Sequence, residues 1–222
     1  MLSEIFKLFW KTVERKDKRR INSQTSPTEI EQFCDIQYID DGLWQHRLDV
    51  YSKSGKLSHR PVIIDIHGGG WMYGTKEINK NYCLVLAQKD YVVVNINYRL
   101  APDFSVADQL RDCFFAFKWV STNIEKYGGD LNNVFVTGDS AGGFLAAYSA
   151  LLNSSEKLRK IFGVTESGLE FRACGLTSPV CFMNTHTFQD VYYSRVKGKE
   201  FSESTLRGFE NFDAVLNKGS MP

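Results

Sequence analysis

Short, continuously apolar runs rich in β-branched residues alternate with longer segments of helical spacing along most of the chain. Four of these runs predict buried strands, at residues 60–66, 91–97, 132–138 and 171–182. Buried strands separated by helices are typical of a parallel sheet that is covered on both faces. The pattern therefore predicts an α/β domain, whose chemistry is expected at the carboxyl ends of the strands.

Three helices are predicted between these strands, at residues 78–90, 105–129 and 141–155. The apolar stripe of the second consists of Ala107, Leu110, Phe114, Phe117 and Val120, and that of the third consists of Phe144, Tyr148, Leu151 and Leu152. A glycine pair at 128–129 suits the end of the second helix. A last helix is expected to begin near residues 202–204, with the apolar stripe Leu206, Phe209, Phe212 and Leu216.

The early part of the chain has a strand-like pattern. Residues 33–40 and 44–54 are predicted as two strands around the Asp-Gly pair at 41–42, which is a strong hairpin signal. This hairpin would add antiparallel strands to one edge of the sheet. The polar stretch 21–32 is expected to be a loop that leads into another short helix.

The first 20 residues predict an amphipathic helix with a basic end. Ile5, Leu8, Phe9 and Val13 share one face, and the segment lacks the small-residue cleavage site of a signal peptide. A helix docked on the domain is the favoured interpretation. A weak membrane-surface role is the alternative, because the basic cluster favours anionic lipid.

Composition and charge exclude several classes of protein. The formal net charge is +1, so no overall field attracts nucleic acid or a membrane. The five cysteines are scattered and form no CxxC pair, which argues against a metal site or a disulfide framework and favours a reducing compartment, hence a cytoplasmic location. No apolar run approaches the ~20 residues of a membrane span, so an integral membrane segment is not expected.

A Gly-Asp-Ser-Ala-Gly sequence at 138–142 follows a predicted strand and opens a predicted helix. This context predicts a strained turn that holds the Ser140 hydroxyl out at the top of the sheet, above a helix N-terminus that favours negative charge. Small residues on both sides would let neighbouring chain pass close by. The alternative is an ordinary tight turn in which the serine caps the helix.

A second unusual turn, His-Gly-Gly-Gly-Trp at 67–71, follows the strand at 60–66. Consecutive glycines allow several amides to face one point. The amides of Gly69, Gly70 and Ala141 are therefore candidates to bind the oxyanion formed when Ser140 attacks an ester. A glycine triplet also occurs in flexible loops and phosphate cradles, but a phosphate loop needs a following Lys-Ser/Thr, which this sequence does not have.

The motifs HGGGW, NYRLAP and GGDLNNVFVTGDSAGG, in this order between about Tyr38 and Cys181, resemble the α/β-hydrolase fold. More narrowly, they resemble the hormone-sensitive-lipase-like carboxylesterases. The resemblance implies a serine hydrolase of short-chain carboxylic esters, with no cofactor and a small-molecule ester as its partner.

The resemblance also implies roles for individual residues. Ser140 would be the nucleophile, and Gly69, Gly70 and Ala141 the oxyanion hole. His67, Gly68 and Asp139 would support the two turns, with His67 shaping the glycine loop rather than acting as the base. Arg99 would pin loops beneath the site. Residues 1–45 would form a helical cap or lid over the acyl pocket, and residues 46–222 the hydrolase core.

The serine needs a base and an orienting acid, which in this fold follow it in the order Asp or Glu, then His. Of the four histidines only His186 follows Ser140, and the nearby Asp190 comes after it, so a surface or cap position is favoured for His186. The acid and base are therefore expected beyond Pro222. The chain is expected to lack the last strands and, as it stands, to be a poor enzyme with an aggregation-prone sheet edge.

Two other classes of function stay open. One is a non-catalytic ligand-binding protein, such as the plant gibberellin receptors that resemble the same family, or a degenerate product on the same scaffold. The other is a peptidase or a lipase for long acyl chains. The sequence indicates neither the physiological substrate nor the oligomeric state.

Overall fold

The computed structural model describes residues 2–55, 59–181 and 192–201, with side chains from Leu8 onward. The strands are β1 (Ile30–Gln37), β2 (Arg47–Lys53), β3 (Arg60–Ile66), β4 (Val92–Ile96), β5 (Gly129–Asp139) and β6 (Phe171–Thr177). The α-helices are α1 (Leu2–Ser23), α2 (Lys80–Gln88), α3 (Val106–Asn123), α4 (Ala141–Ser154) and α5 (Glu156–Phe162). Short 3₁₀ turns lie at Lys76–Ile78, Ile124–Tyr127 and Lys199–Phe201.

The six strands form one mixed sheet in the order β1-β2-β4-β3-β5-β6. β3 pairs in parallel with both β4 and β5, and β5 with β6, whereas β1 pairs with β2 and β2 with β4 in antiparallel fashion. The predicted parallel sheet with an antiparallel hairpin at one edge is confirmed. The outer edge of β6 has no strand partner within the described part of the chain.

Helices cover both faces of the sheet, as the buried strands require. Along β4, Val92 and Val94 belong to the main core with α3 and α4, whereas Val93 packs with Leu84 and Ala87 of α2 on the other face. Because alternate side chains of a strand point to opposite faces, two apolar layers form around β4. This is the architecture that the continuous apolar runs predict.

The prediction for residues 21–32 is wrong. α1 continues to Ser23, and the following residues do not form a short helix, because Ile30 already pairs with Lys53 at the start of β1. Pairing with β2 therefore overrides the local preference of this polar stretch. α5 was not predicted. The helix expected near 202–204 lies outside the described residues, as do His186 and Asp190.

The face on which α1 docks also differs from the prediction. Leu8 and Phe9 are 67% and 57% exposed, so the face predicted to pack on the domain points largely to solvent. Instead, Trp10 stacks on Tyr73 with ring centroids 5.4 Å apart, and the Tyr73 hydroxyl donates a hydrogen bond to Asp17 at 3.2 Å. α1 therefore lies against the segment that follows the glycine triplet.

Candidate active site

The predicted strand-to-helix turn is present, because β5 ends at Asp139 and α4 begins at Ala141. Ser140 lies between them with φ 50° and ψ −115°. Its N–H donates to the carbonyl of Thr177 at 2.9 Å, and its own carbonyl accepts from Val180 at 3.2 Å. These hydrogen bonds hold the serine in a conformation that a non-glycine residue seldom adopts.

The glycines of this turn permit a close approach of backbone. A Cβ at Gly142 would lie 2.0 Å from the carbonyl oxygen of Ile66, and one at Gly138 would lie 2.4 Å from the carbonyl oxygen of Gly142. Both distances are shorter than any real carbon–oxygen contact. The first turn of α4 therefore packs directly on the end of β3, as the small residues around Ser140 predict.

The glycine loop turns back sharply after β3. Gly69, Gly70 and Trp71 all have positive φ, of 123°, 56° and 62°. The carbonyl of Gly69 accepts hydrogen bonds from the amides of Met72 and Tyr73 at 3.2 and 3.0 Å. A Cβ at Gly69 would lie 1.9 Å from the carbonyl oxygen of Tyr73, so this turn excludes every other residue type.

The two turns lie side by side. β3 and β5 are parallel neighbours with Ile66 paired to Gly138, so both turns leave the sheet at its carboxyl edge. The amide of Gly68 donates to the Asp139 carboxylate at 2.9 Å, which joins the turns directly. The structure thus brings together the residues of both sequence motifs.

Four polar groups at this edge are without an internal partner. The amides of Gly69, Gly70 and Ala141 donate to no residue in the described ranges, and the Ser140 hydroxyl has no hydrogen bond there either. Elsewhere in the fold most such groups are paired, because an unpaired buried polar group is costly. The described residues therefore leave these four groups without a hydrogen-bond partner.

His67 is fully buried, and its contacts shape the loop. Its Nδ1 lies 2.7 Å from the carbonyl oxygen of Gly68, and its ring stacks on Tyr98 at 4.4 Å. The Tyr98 hydroxyl donates to the His67 carbonyl at 2.7 Å. Burial lowers the pKa of His67 to about 4, so the ring is neutral at pH 7.

A buried polar bridge under the turns escaped the sequence-based prediction. The Asn79 side-chain amide donates to Asp65 at 3.0 Å and to Asp139 at 2.9 Å. Burial, with a further contribution from the charge of Asp139, raises the pKa of Asp65 to about 7. The only signal in the sequence is an aspartate within the apolar run VIIDI; nothing in it identifies Asn79 as the partner.

Arg99 joins loops below the site, as the NYRLAP motif suggests. Its Nη2 lies 2.6 Å from Asp112 Oδ1, and its backbone amide donates to the same carboxylate at 2.9 Å. The guanidinium also lies over the Phe104 ring, 4.7 Å from its centroid. The loop after β4 is thereby tied to α3.

Tyr192 is another supporting residue that no motif indicates. Its hydroxyl donates a hydrogen bond to the carbonyl of Gly70. A Cβ at Gly70 would lie 2.6 Å from that hydroxyl oxygen and 2.4 Å from the ring of Trp10. The glycine loop is therefore covered from two sides by residues far away in the sequence.

The described histidines do not supply a base to Ser140. His59 precedes β3, so it lies at the opposite, amino edge of the parallel strands. His46 lies between carboxylates, with Nδ1 2.7 Å from Asp41 and Nε2 3.2 Å from Asp112, and His67 contacts the glycine loop.

Within the described ranges, no cluster of three or more His, Cys, Asp or Glu residues could hold a metal ion. None of the helices described there has the length and apolar character to cross a membrane. All five cysteines are free thiols.

The chain is similar to known esterases in both sequence and fold. Residues 48–187 match the family model described as BD-FAE. The chain belongs to the BD-FAE family. A versiconal hemiacetal acetate esterase from Dothistroma septosporum is 36% identical over 112 residues, which are 50% of this chain and 33% of that protein. An isoprenylcysteine alpha-carbonyl methylesterase from Arabidopsis thaliana is 29% identical over 170 residues, 76% of this chain and 39% of that protein.

Among solved structures, the fold of this BD-FAE family member resembles esterase B from Lactobacillus rhamnosis inhibited by a C4-C4 SN3 tributyrin phosphonate. The TM-score is 0.86 at 31% identity, over 93% of this chain and 67% of that chain. The α/β-hydrolase fold is thus confirmed. The chain spans less than half of the length of the curated relatives that it matches, with shares from 22% to 48%.

Proposed function

We propose that this protein is a serine carboxylesterase that hydrolyses short-chain esters through an acyl-enzyme on Ser140. The observation that carries the proposal is the strained Ser140 next to three amides, of Gly69, Gly70 and Ala141, that donate to no described residue. Family membership and the esterase relatives support the same chemistry.

In the proposed reaction, Ser140 Oγ attacks the ester carbonyl carbon while a base removes its proton. The carbonyl π electrons move to oxygen, and the resulting oxyanion accepts hydrogen bonds from the three amides. Collapse of this intermediate breaks the bond to the alcohol oxygen, which takes the proton from the base. Water then attacks the acyl-enzyme by the same route and releases the acid. The acid and the base of the triad remain a prediction. They are not among the described residues.

In this proposal the two turns are held in place by His67, Gly68 and Asp139. Neutral His67 and the Asp139 carboxylate both bind the backbone of Gly68, which sets the direction of the two amides that follow. Donors fixed before the reaction need no reorganisation as charge develops on the oxygen.

The relatives and the cap support the proposed substrate class. The tributyrin phosphonate bound to esterase B carries short acyl chains, and we assign the same class of substrate here. Of the segment 1–45, α1 acts as the cap in this proposal, since Trp10 lies over Gly70, whereas Ile30–Gln37 form the edge strand β1 of the sheet. The free thiols favour a cytoplasmic location.

The test is labelling by a fluorophosphonate probe, followed by peptide mapping. Labelling is expected at Ser140 and is lost in Ser140→Ala. Ser149→Ala is the matched control, because Ser149 lies on the same helix but is fully buried. Its labelling should be unchanged. If the folded protein is labelled at another residue, or is not labelled, Ser140 is not the nucleophile.

A ligand-binding role without turnover is the second candidate. It is favoured by the Ser140 hydroxyl having no hydrogen-bond partner within the described residues. Calorimetry with the tributyl ether of glycerol, an analogue of tributyrin that lacks a carbonyl group, separates the two. Saturable binding that persists in Ser140→Ala, with no release of butyrate from tributyrin by the wild-type protein, would favour the binding role.

A further inference from the structure

Helix α1 concentrates the positive charge of the protein. Its 22 residues include seven basic and three acidic side chains, a formal net charge of +4. The whole chain carries only +1, so the remainder carries −3. The near-neutral total therefore conceals a strongly basic helix on a weakly acidic body, and such an asymmetry indicates a local interaction surface.

The basic side chains point to solvent. From Leu8 onward, the less exposed positions of α1 are Trp10, Val13, Glu14, Asp17 and Ile21, which recur at helical spacing. The exposed positions include Lys11, Arg15, Lys16, Lys18, Arg19 and Arg20. Glu14 pairs with Lys18 and Asp17 with Arg20. Lys11, Arg15, Lys16 and Arg19 form no ion pair with any described carboxylate, so their charge is available to a partner.

Large apolar side chains adjoin this basic face. Leu8 is 67% exposed, Phe9 57% and Trp44 49%. Single exposed apolar residues are common, but Leu8 and Phe9 are consecutive and precede the cations on the same helix. A helix that exposes apolar side chains together with a Lys/Arg-rich face is typical of segments that lie in the membrane interface.

Of these apolar residues, Trp44 also lines a cavity of about 490 Å³. Its lining includes Trp10, Tyr73 and Phe104, and the exposed residues Lys11 and Trp44 lie at its rim. The cavity therefore opens beside the basic face of α1. This surface presents cations together with aromatic rings and an adjoining apolar cavity. A lipid bilayer offers matching groups, because its charged headgroups lie above a hydrocarbon layer.

We propose that the outer face of α1 binds the surface of an anionic lipid bilayer. Arg15, Lys16 and Arg19 face the acidic headgroups. Leu8, Phe9 and Trp44 enter the boundary between headgroups and acyl chains. A nucleic acid is disfavoured as the partner because its phosphates would use the cations but leave Leu8 and Phe9 in water.

The test is co-sedimentation of the full chain with vesicles at about 0.1 M salt. Vesicles contain phosphatidylcholine alone or with about 30% phosphatidylserine. The variant R15E/K16E/R19E reverses three charges, and L8S/F9S removes the apolar pair. K53E/K89E/K118E is the matched control: it changes the net charge by the same amount through three exposed lysines outside α1. Thermal melting verifies that each variant is folded.

We expect binding only when phosphatidylserine is present. Binding should weaken at least about tenfold in R15E/K16E/R19E, since each basic residue near an anionic surface adds roughly fivefold to the affinity. It should also weaken in L8S/F9S and be maintained in the control. No binding to acidic vesicles, or equal loss in the control, overturns the proposal. So does tighter binding to a single-stranded RNA homopolymer that L8S/F9S leaves unchanged, since this would identify a polyanion surface.

Discussion

At the scale of single residues, the backbone decides which side chains the two turns accept. Ser140 has a positive φ and is held there by Thr177 and Val180. Gly69 and Gly142 have no room for a methyl group. The proposed catalytic role would therefore restrict the residue types in two ways. The chemistry requires a hydroxyl at position 140, and the close approach of the amides leaves no space for side chains at the glycines.

Gly69→Ala is predicted to lower turnover of a short-chain ester by roughly 10² to 10³-fold, the loss expected when one oxyanion donor is displaced. The added Cβ meets the carbonyl oxygen of Tyr73 and forces the loop to shift. Gly175→Ala is the control, because Gly175 is exposed on β6 and its nearest contact is a looser 3.1 Å. Hydrolysis of p-nitrophenyl butyrate is the measurement. Equal rates in Gly69→Ala and wild type would remove Gly69 from the oxyanion hole.

The buried carboxyl of Asp65 should make stability depend on pH. Its folded pKa is about 7, above its ordinary value of 3.8. Between these values the folded protein keeps the proton that the unfolded chain has lost. The folded state then binds more protons, so the free energy of unfolding falls as pH rises from about 4 to 7.

Asp65→Asn is therefore predicted to gain stability relative to wild type as pH rises from 4 to 8. The gain should amount to a few kcal/mol, since one pKa unit corresponds to about 1.4 kcal/mol. Urea unfolding at several pH values gives the difference. Asp130→Asn is the control: Asp130 is only partly buried and its pKa is lowered, so that variant should show a small change of opposite sign. A pH-independent difference for Asp65→Asn would contradict the prediction.

At the scale of elements, the orientation in which α1 docks on the domain is explained only by tertiary packing. Its amphipathic pattern predicts a docked helix, and it docks, but through Trp10 and Asp17 rather than through Leu8 and Phe9. The partner surface is the turn around Tyr73, which accepts an aromatic ring and a carboxylate. The hydrophobic pattern of a helix cannot show which of its faces meets such a partner.

Trp10→Ala is predicted to lower kcat about tenfold, because the ring covers Gly70 and stacks on Tyr73. Its removal loosens the loop that carries two of the proposed donors. Trp44→Ala is the matched control, since Trp44 lines the same cavity. It should change KM more than kcat. Steady-state kinetics on a series of p-nitrophenyl esters measures kcat and KM for both variants. An unchanged kcat in Trp10→Ala would show that α1 does not position the loop.

At the scale of the whole molecule, Asp112 connects three parts of the fold. This fully buried carboxylate on α3 binds Arg99 from the loop after β4 and His46 from the connection between β1 and β2. Its contacts raise the pKa values of both His46 and Arg99 despite their burial. The edge hairpin, the central sheet and the helical layer are thereby joined at one point.

Asp112→Asn is predicted to reduce the free energy of unfolding by about 3–5 kcal/mol, because it leaves the largely buried guanidinium of Arg99 without its counter-charge. Asp90→Asn is the control. Asp90 also pairs with an arginine, Arg60 at 3.0 Å, but its side chain is 64% exposed, so a change of no more than about 1 kcal/mol is expected. Urea denaturation at pH 7 measures both. Similar values for the two variants would contradict a connecting role for Asp112.

The sequence by itself determined the class of fold and the positions of the two unusual turns at which the chemistry is proposed. Continuous apolar runs separated by helical spacing require a sheet buried on both faces. Their ends at 67–71 and 138–142 mark the two unusual turns. These signals are local, so they could be identified before any contact was known, and the resemblance to α/β-hydrolases rests on the same segments.

The tertiary structure alone decided the residues that support those turns. Asn79 bridges Asp65 and Asp139, Tyr192 binds Gly70 from 122 positions away, and Trp10 covers the same glycine. None of these contacts has a periodicity or a spacing of its own. Each arises because parallel strands bring distant turns to one edge of the sheet, where the backbone groups left unpaired by the strands have to be satisfied.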